Sequence, residues 1–235
     1  GQDKVCASLK DVLDKGTCRA FIFTGLSGGG KTTLGRLIAS YKKCSPHNLH
    51  EVDGATHTGV ESMREIIESL QMNPMGPNKV RVTIIDEAHQ LSKAAWNSLL
   101  KSVEEPPPDY YWVFCTTESA KIPDTIRTRC TSYEVKPVSS DLLFEYLQII
   151  KEDEKFKTSD DVLHLIARSS EGSTRRALTF LSQCSDITNV REAVDIIKSI
   201  DENEEGAVGD LLKALVSGIT WERAVDILKE LGTTD

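Results

Sequence analysis

Apolar positions follow two rhythms through the first 136 residues. Short apolar-dominated runs at residues 80–85 and 111–116 have the look of strands buried on both faces of a parallel sheet, and residues 20–24 (AFIFT) and 131–135 predict two more strands. A shorter strand is predicted at 50–52. Between these runs the apolar residues recur every three or four positions. Val5, Leu9, Val12 and Leu13 predict a helix over 4–13, and residues 34–39 predict another. Val60, Met63, Ile66, Ile67 and Leu70 predict a third over 60–70. A fourth, over 92–103, stops before Pro106, Pro107 and Pro108. Residues 73–78, with two prolines and a glycine, predict a loop. Strands alternating with helices imply an α/β domain with right-handed crossovers.

After Pro137 only the helical rhythm remains, at 142–150, 162–167, 175–181 and 193–197. The expected organisation is therefore three parts. Residues 1–136 form the α/β domain, 137–199 a small helical domain, and 200–235 the start of a further helical domain. The last carries amphipathic stretches at 208–216 and 221–231 and is expected to continue beyond Asp235. A segment preceding Gly1 is expected as well.

The strand at 20–24 feeds GLSGGGKT, the pattern G-x-x-x-x-G-K-[ST] without a mismatch, and the helix follows at once. Backbone N–H groups and a helix N-terminus together solvate phosphate, so this order matters more than the string. Gly25, Gly28, Gly29 and Gly30 let the chain curl close to an anion. Lys31 is placed to reach the β- and γ-phosphates, and the Thr32 hydroxyl to ligate Mg²⁺. Thr33, next in the helix, completes the phosphate-side set. Asp86 and Glu87 follow the buried run at 80–85. Asp86 suits a water-mediated hold on Mg²⁺ and Glu87 the polarisation of an attacking water. Residues 86–89 also spell D-E-A-H, the box of a helicase class. Such helicases need two tandem α/β domains, and here one is followed by helices.

Composition removes several alternatives. With 39% hydrophobic and 27% charged residues the chain is of the globular kind, and no apolar run reaches the ~18 residues of a membrane span. Six cysteines stand singly with no C-x-x-C pair, which fits reduced thiols in place of a disulfide framework. A net charge of −8 argues against a generally basic surface, though not against a local basic patch.

Read in order, GLSGGGKTT, EVDGATHTGVESMREIIESL, VTIIDEAHQLSKAAWNSLLKSVEEPP, WVFCTTESAKIPDTIRTRC and EGSTRRAL resemble the clamp-loader branch of the AAA+ ATPases. The likeness is strongest to the bacterial DNA polymerase III gamma/tau subunits and the small subunits of replication factor C. It implies an ATP- and Mg²⁺-dependent ATPase, with the residues from 137 onward as lid and collar. Thr116 matches the sensor-1 position, with Thr117 as the adjacent candidate. Arg129 matches the arginine finger that serves a neighbouring subunit's site, and Arg175, beside Arg176, matches sensor 2.

The resemblance also implies partners: other loader subunits in a ring or pentameric spiral, a sliding clamp and primer-template DNA, with no membrane. DNA phosphate is expected near Thr58, Ser92 and Lys93 at helix starts, where simple N-capping competes as an explanation. Leu70, Met72 and Met75 match the clamp-facing element. The expected compartment is the cytoplasm (the host's for a viral protein, the nucleus for a eukaryotic one). The four-cysteine zinc module of bacterial gamma subunits is reduced to residues 42–48 with Cys44 alone, so zinc is not expected; His47 and His50 add too few ligands. In this the chain resembles viral or archaeal and eukaryotic loaders. Two rivals remain: a nucleotide-binding structural subunit that hydrolyses little, and a different AAA+ remodeller such as a branch-migration motor. The intact Lys31, Asp86 and Glu87 stand against the first, and the EEPP and arginine-cysteine stretches against the second.

Overall fold

The computed structural model describes residues 1–69 and 78–200. The helical pattern at 208–216 and 221–231, the loop at 73–77 and the residues Leu70, Met72 and Met75 lie outside them. Two compact units divide the chain: 1–139 with 172–175, and 140–171 with 176–235.

The first unit begins with helix α1 (Asp3–Lys15) and strand β1 (Ala20–Gly25), which runs into helix α2 (Lys31–Tyr41). Strand β2 (Leu49–Asp53), helix α3 (Val60–Ser69), strand β3 (Arg81–Asp86) and helix α4 (Lys93–Glu104) follow. Strand β4 (Tyr110–Thr116), a four-residue helix α5 (Asp124–Arg127) and strand β5 (Thr131–Val135) complete it. The α/β prediction is met: five strands pair in parallel in the order β2-β3-β4-β1-β5. Crossovers, not hairpins, must join parallel neighbours, and the intervening helices supply them.

The unbroken apolar runs are explained by parity. Successive side chains of a strand point to opposite faces, so a strand covered on both sides needs apolar residues at every position. On one face Ala20, Ile22, Ile85, Tyr110, Trp112 and Phe114 pack with α3, α4 and α5 through Met63, Trp96, Leu99 and Ile126. On the other, Phe21, Phe23, Val82, Ile84, Tyr111, Val113 and Cys115 pack with α1 and α2 through Leu9, Leu13, Leu34 and Ile38. All seven residues of β4 are buried. Gly35 lets α2 lie close on the sheet, since a Cβ there would sit 2.9 Å from Ile84 Cδ1.

The second unit contains α6 (Ser140–Glu154), α7 (Asp160–Ser169) and most of α8 (Thr174–Gln183), with residues 190–200 also helical. Its core is Leu143, Leu147, Val162, Leu163, Ile166, Phe180, Leu181 and Ile197. Ser159 caps α7 by accepting from the Val162 N–H, and Thr158 Oγ1 donates to Cys184 O at 2.7 Å. Among the described residues no helix is long and apolar enough to cross a membrane.

Candidate functional site

Three strand ends meet at the carboxyl edge of the sheet. Strand β4 lies between β1 and β3, so Thr116 at its end stands between the glycine-rich loop after β1 and Asp86 at the end of β3. Ligands of open parallel sheets bind at this edge.

The loop closes on itself. Gly25, Gly28 and Gly30 have φ of 150°, 69° and 99°, and Gly30 is the N-cap of α2. Gly29 is the exception to the expected set of permissive backbones: it is not in the positive-φ region, and its N–H donates to Leu26 O at 3.2 Å. Lys31 is buried, with 5% of its surface exposed, and its Nζ donates to Gly25 O at 3.1 Å and Leu26 O at 2.9 Å. Thr32 Oγ1 donates to Asp86 Oδ2 at 2.7 Å, although 54 residues separate them. Asp86 Oδ1 accepts from the Glu87 N–H at 3.0 Å. Thr33 is exposed on the first turn of α2. A hydroxyl and a carboxylate brought together at a helix start form an oxygen donor set suited to Mg²⁺.

Thr116 is fully buried while Thr117 is exposed, which separates the two sensor-1 candidates physically. Thr116 Oγ1 accepts from the Glu118 N–H at 2.9 Å. Glu87 takes a left-handed backbone, φ 44°, as the chain leaves β3 for a one-turn 3₁₀ helix at Ala88–Gln90. His89 in that turn lies against both Glu87 and Thr116. It had no place in the expected site beyond being the last letter of D-E-A-H.

Residues Gly172–Arg175 belong to the first unit. Thr174 Oγ1 donates to Gly28 O at 3.0 Å, and a Cβ on Gly28 would stand 2.4 Å from Ser173 Oγ and 2.7 Å from Arg175 Cβ. The start of α8, with Arg175, therefore rests on the glycine-rich loop. Gly28→Ala combines a left-handed cost of about 1–2 kcal/mol with this clash. It is expected to lower Tm by roughly 5 °C, at about 2–4 °C per kcal/mol, and to weaken ATP binding. Calorimetric melting and nucleotide titration check both; an unchanged melt would mean that the loop and α8 do not touch in solution.

Arg129 lies after α5, away from these groups in sequence. Its Nη1 donates to Thr125 O at 2.6 Å and its Nη2 to Glu104 Oε1 at 3.2 Å. The neighbouring Cys130 thiol is pushed up to about 12, by burial first and by Cys18 second, which favours its neutral form. Arg176 pairs with Glu171 at 3.9 Å and covers the Phe180 ring. Ser92 caps α4 by accepting from the Ala95 N–H at 3.1 Å, and its own N–H donates to Thr58 O at 3.2 Å. Thr58, Ser92 and Lys93 are thus neighbours, with Ser92 already engaged as a cap. Cys44 Sγ donates to Val80 O at 3.3 Å, and His50 lies in β2.

A family model described as DNA polymerase III, delta subunit, matches residues 47–139. The chain is 33% identical to the DNA polymerase III subunit gamma/tau of Mycoplasma genitalium over 93% of its own length and 40% of that protein's. It is 31% identical to the subunit gamma of Buchnera aphidicola from Acyrthosiphon pisum, over 86% of the chain and 63% of that protein. With the subunit tau of Escherichia coli it shares 28% identity over 94% of the chain and 40% of that protein. The chain spans less than two thirds of the length of these relatives. Its fold is that of the Thermotoga maritima RuvB Holliday junction branch migration motor, with a TM-score of 0.70 at 21% identity over 99% of this chain and 82% of that one.

Fold and glycine-rich loop together define a P-loop domain with the AAA+ fold. Its sequence is similar to those of DNA polymerase III gamma/tau subunits, which match it over nearly its whole length.

Proposed function

We propose that this chain is an ATP-hydrolysing subunit of a DNA sliding-clamp loader. ATP binding would order a spiral of subunits that opens the clamp on primer-template DNA, and hydrolysis would release both. The observation that carries the reading is the Thr32–Asp86 hydrogen bond of 2.7 Å, which joins the glycine-rich loop to the acidic strand end in a chain 33% identical to a gamma/tau subunit.

Each residue has a role that its chemistry supports. Bound Mg²⁺ would neutralise phosphate charge, and the residues to hold it are Thr32 and Asp86. The Gly25–Gly30 loop supplies backbone N–H groups, and Lys31 meets the β- and γ-phosphate charge. Glu87 accepts a proton from the attacking water, and Thr116 contacts the γ-phosphate. Arg175, at the loop, reads the nucleotide on behalf of the helical lid, residues 137–199. Arg129 acts in trans, completing a neighbouring subunit's site. Thr58, Ser92 and Lys93 lie along the DNA phosphates, and the residues from 200 onward take part in subunit assembly. The complex acts in the cytoplasm.

The test measures ATP hydrolysis by the assembled complex with and without clamp and primer-template DNA, in wild type and Lys31→Ala. Stimulation by clamp and DNA in wild type alone is expected; a complex that neither stimulates is not a loader. Arg129→Ala is expected to lower the assembly's rate on the order of 1,000-fold, the scale of a lost arginine finger, while this chain's own ATP affinity stays unchanged. Lost affinity in the isolated chain would place Arg129 in cis.

A further inference from the structure

His89 has no part in the roles above, yet its ring is the point where the two catalytic strand ends meet. The side chain is enclosed, 9% exposed. Its Nδ1 lies 3.2 Å from Thr116 Oγ1 and 3.3 Å from Glu87 Oε2. Its Nε2 lies 3.4 Å from Glu118 Oε1, a carboxylate that also receives Lys121 Nζ at 2.8 Å. Glu118 closes the circuit, because its N–H donates to the same Thr116 hydroxyl.

A neutral imidazole has one N–H and one lone pair. With the proton on Nε2, the ring faces Glu118 as a donor and Nδ1 accepts from the Thr116 hydroxyl; the Nδ1 lone pair then faces the Glu87 carboxylate and repels it. With the proton on Nδ1, the ring offers an N–H to Glu87 and no longer accepts from Thr116. One nitrogen cannot serve both partners. Glu87 and Thr116 therefore compete for Nδ1, and whatever draws the Thr116 hydroxyl away leaves the nitrogen to Glu87.

We propose that His89 is a positioning residue that links γ-phosphate contact at Thr116 to the placement of the Glu87 carboxylate. The proposal rests on the reading of Thr116 as the phosphate contact and Glu87 as the base. When the Thr116 hydroxyl turns to a phosphate oxygen, the ring releases its Nε2 proton to water and takes one up from water at Nδ1, and that N–H fixes Glu87, while Lys121 keeps its hold on Glu118. Before that, Glu87 is not held in its working position, and a bound but misplaced triphosphate is spared.

The experiment uses the full-length protein with its co-purifying subunits, clamp and primer-template DNA. It compares kcat, KM and ATP affinity for His89→Ala, His89→Asn and His89→Gln in the wild-type and Glu87→Gln backgrounds. His89→Ala is expected to lower kcat on the order of ten- to a hundredfold, the penalty of a misplaced catalytic group, with ATP affinity within about twofold of wild type. His89→Asn, whose amide nitrogen stands in for Nδ1, restores most of the rate; His89→Gln, which stands in for Nε2, does not. In the Glu87→Gln background, His89→Ala lowers the rate no further.

Several outcomes overturn the proposal: a wild-type rate in His89→Ala, equal rates in the asparagine and glutamine variants, a multiplied loss in the double variant, or lost ATP affinity. A wild-type rate no higher than that of Lys31→Ala would instead sink the ATPase reading beneath it. The two failures are therefore distinct.

Discussion

Lys31→Ala is expected to weaken ATP binding about 100-fold, near 3 kcal/mol, the upper range for a hydrogen bond made by a charged group. The magnitude follows from preorganisation. The Lys31 ammonium is buried and already held by the Gly25 and Leu26 carbonyls, so little side-chain entropy remains to be lost when phosphate arrives. The unliganded fold should tolerate the change far better. Burying a charge is costly, and removing it offsets the two lost hydrogen bonds, so stability should move by no more than about 1 kcal/mol. Isothermal titration with ATP and melting of the unliganded protein separate the effects. Equal losses in both would make Lys31 a structural residue first.

The largest effect on stability is expected from Trp112→Ala, at about 3–5 kcal/mol. Trp112 is fully buried in β4, stacked on Phe114 with centroids 5.9 Å apart and edge-on to Tyr110 at 5.1 Å. Its Nε1 donates to Ser102 O at 3.1 Å, which ties the strand to the last turns of α4. Alanine would leave both aromatic neighbours facing a void. At about 2–4 °C per kcal/mol, Tm should fall by roughly 10 °C. Trp112→Phe keeps most of the volume and leaves the Ser102 carbonyl without this partner, costing about 1 kcal/mol more than the lost area. Denaturant titration of the three proteins checks the order; similar midpoints for alanine and phenylalanine would mean that packing is not the source.

What the sequence revealed and what it hid have physical reasons. The strands at 80–85 and 111–116 were legible because burial on both faces favours apolar residues at successive positions in a run too short for a typical helix, with Thr83 a buried polar exception. The helix over 92–103 was legible from its period, its Ser92 start and the three prolines beyond it. The α5 helix, Asp124–Arg127, was not, since four residues are too few to establish a period. Gly28, Lys31, Thr32 and Asp86 could be named as candidates in advance because phosphate and Mg²⁺ sites restrict residue types at fixed spacings. The meeting of Thr32 with Asp86 followed from strand order, which a single sequence states only through resemblance.

His89 was visible as a letter and invisible as a neighbour. Nothing in residues 86–89 says that the ring turns toward the end of β4, 27 positions later. The same holds for Thr174, whose bond to Gly28 O spans 146 residues, and for Arg129, whose ion pair with Glu104 spans 25. Local pattern carries information about elements; contacts of this range depend on how the elements pack.

The parity of β4 has a consequence for how the first unit comes apart. Tyr110, Trp112 and Phe114 belong to one core, and Tyr111, Val113 and Cys115 to the other. A strand cannot surrender one set of side chains and keep its neighbour set in register, so the two faces share a single melting event. The layer of helices α3 to α5 and the layer of α1 and α2 behave thermodynamically as one cooperative body. The nucleotide edge, built on the ends of β1, β4 and β3, inherits that all-or-none character from the strand at its centre.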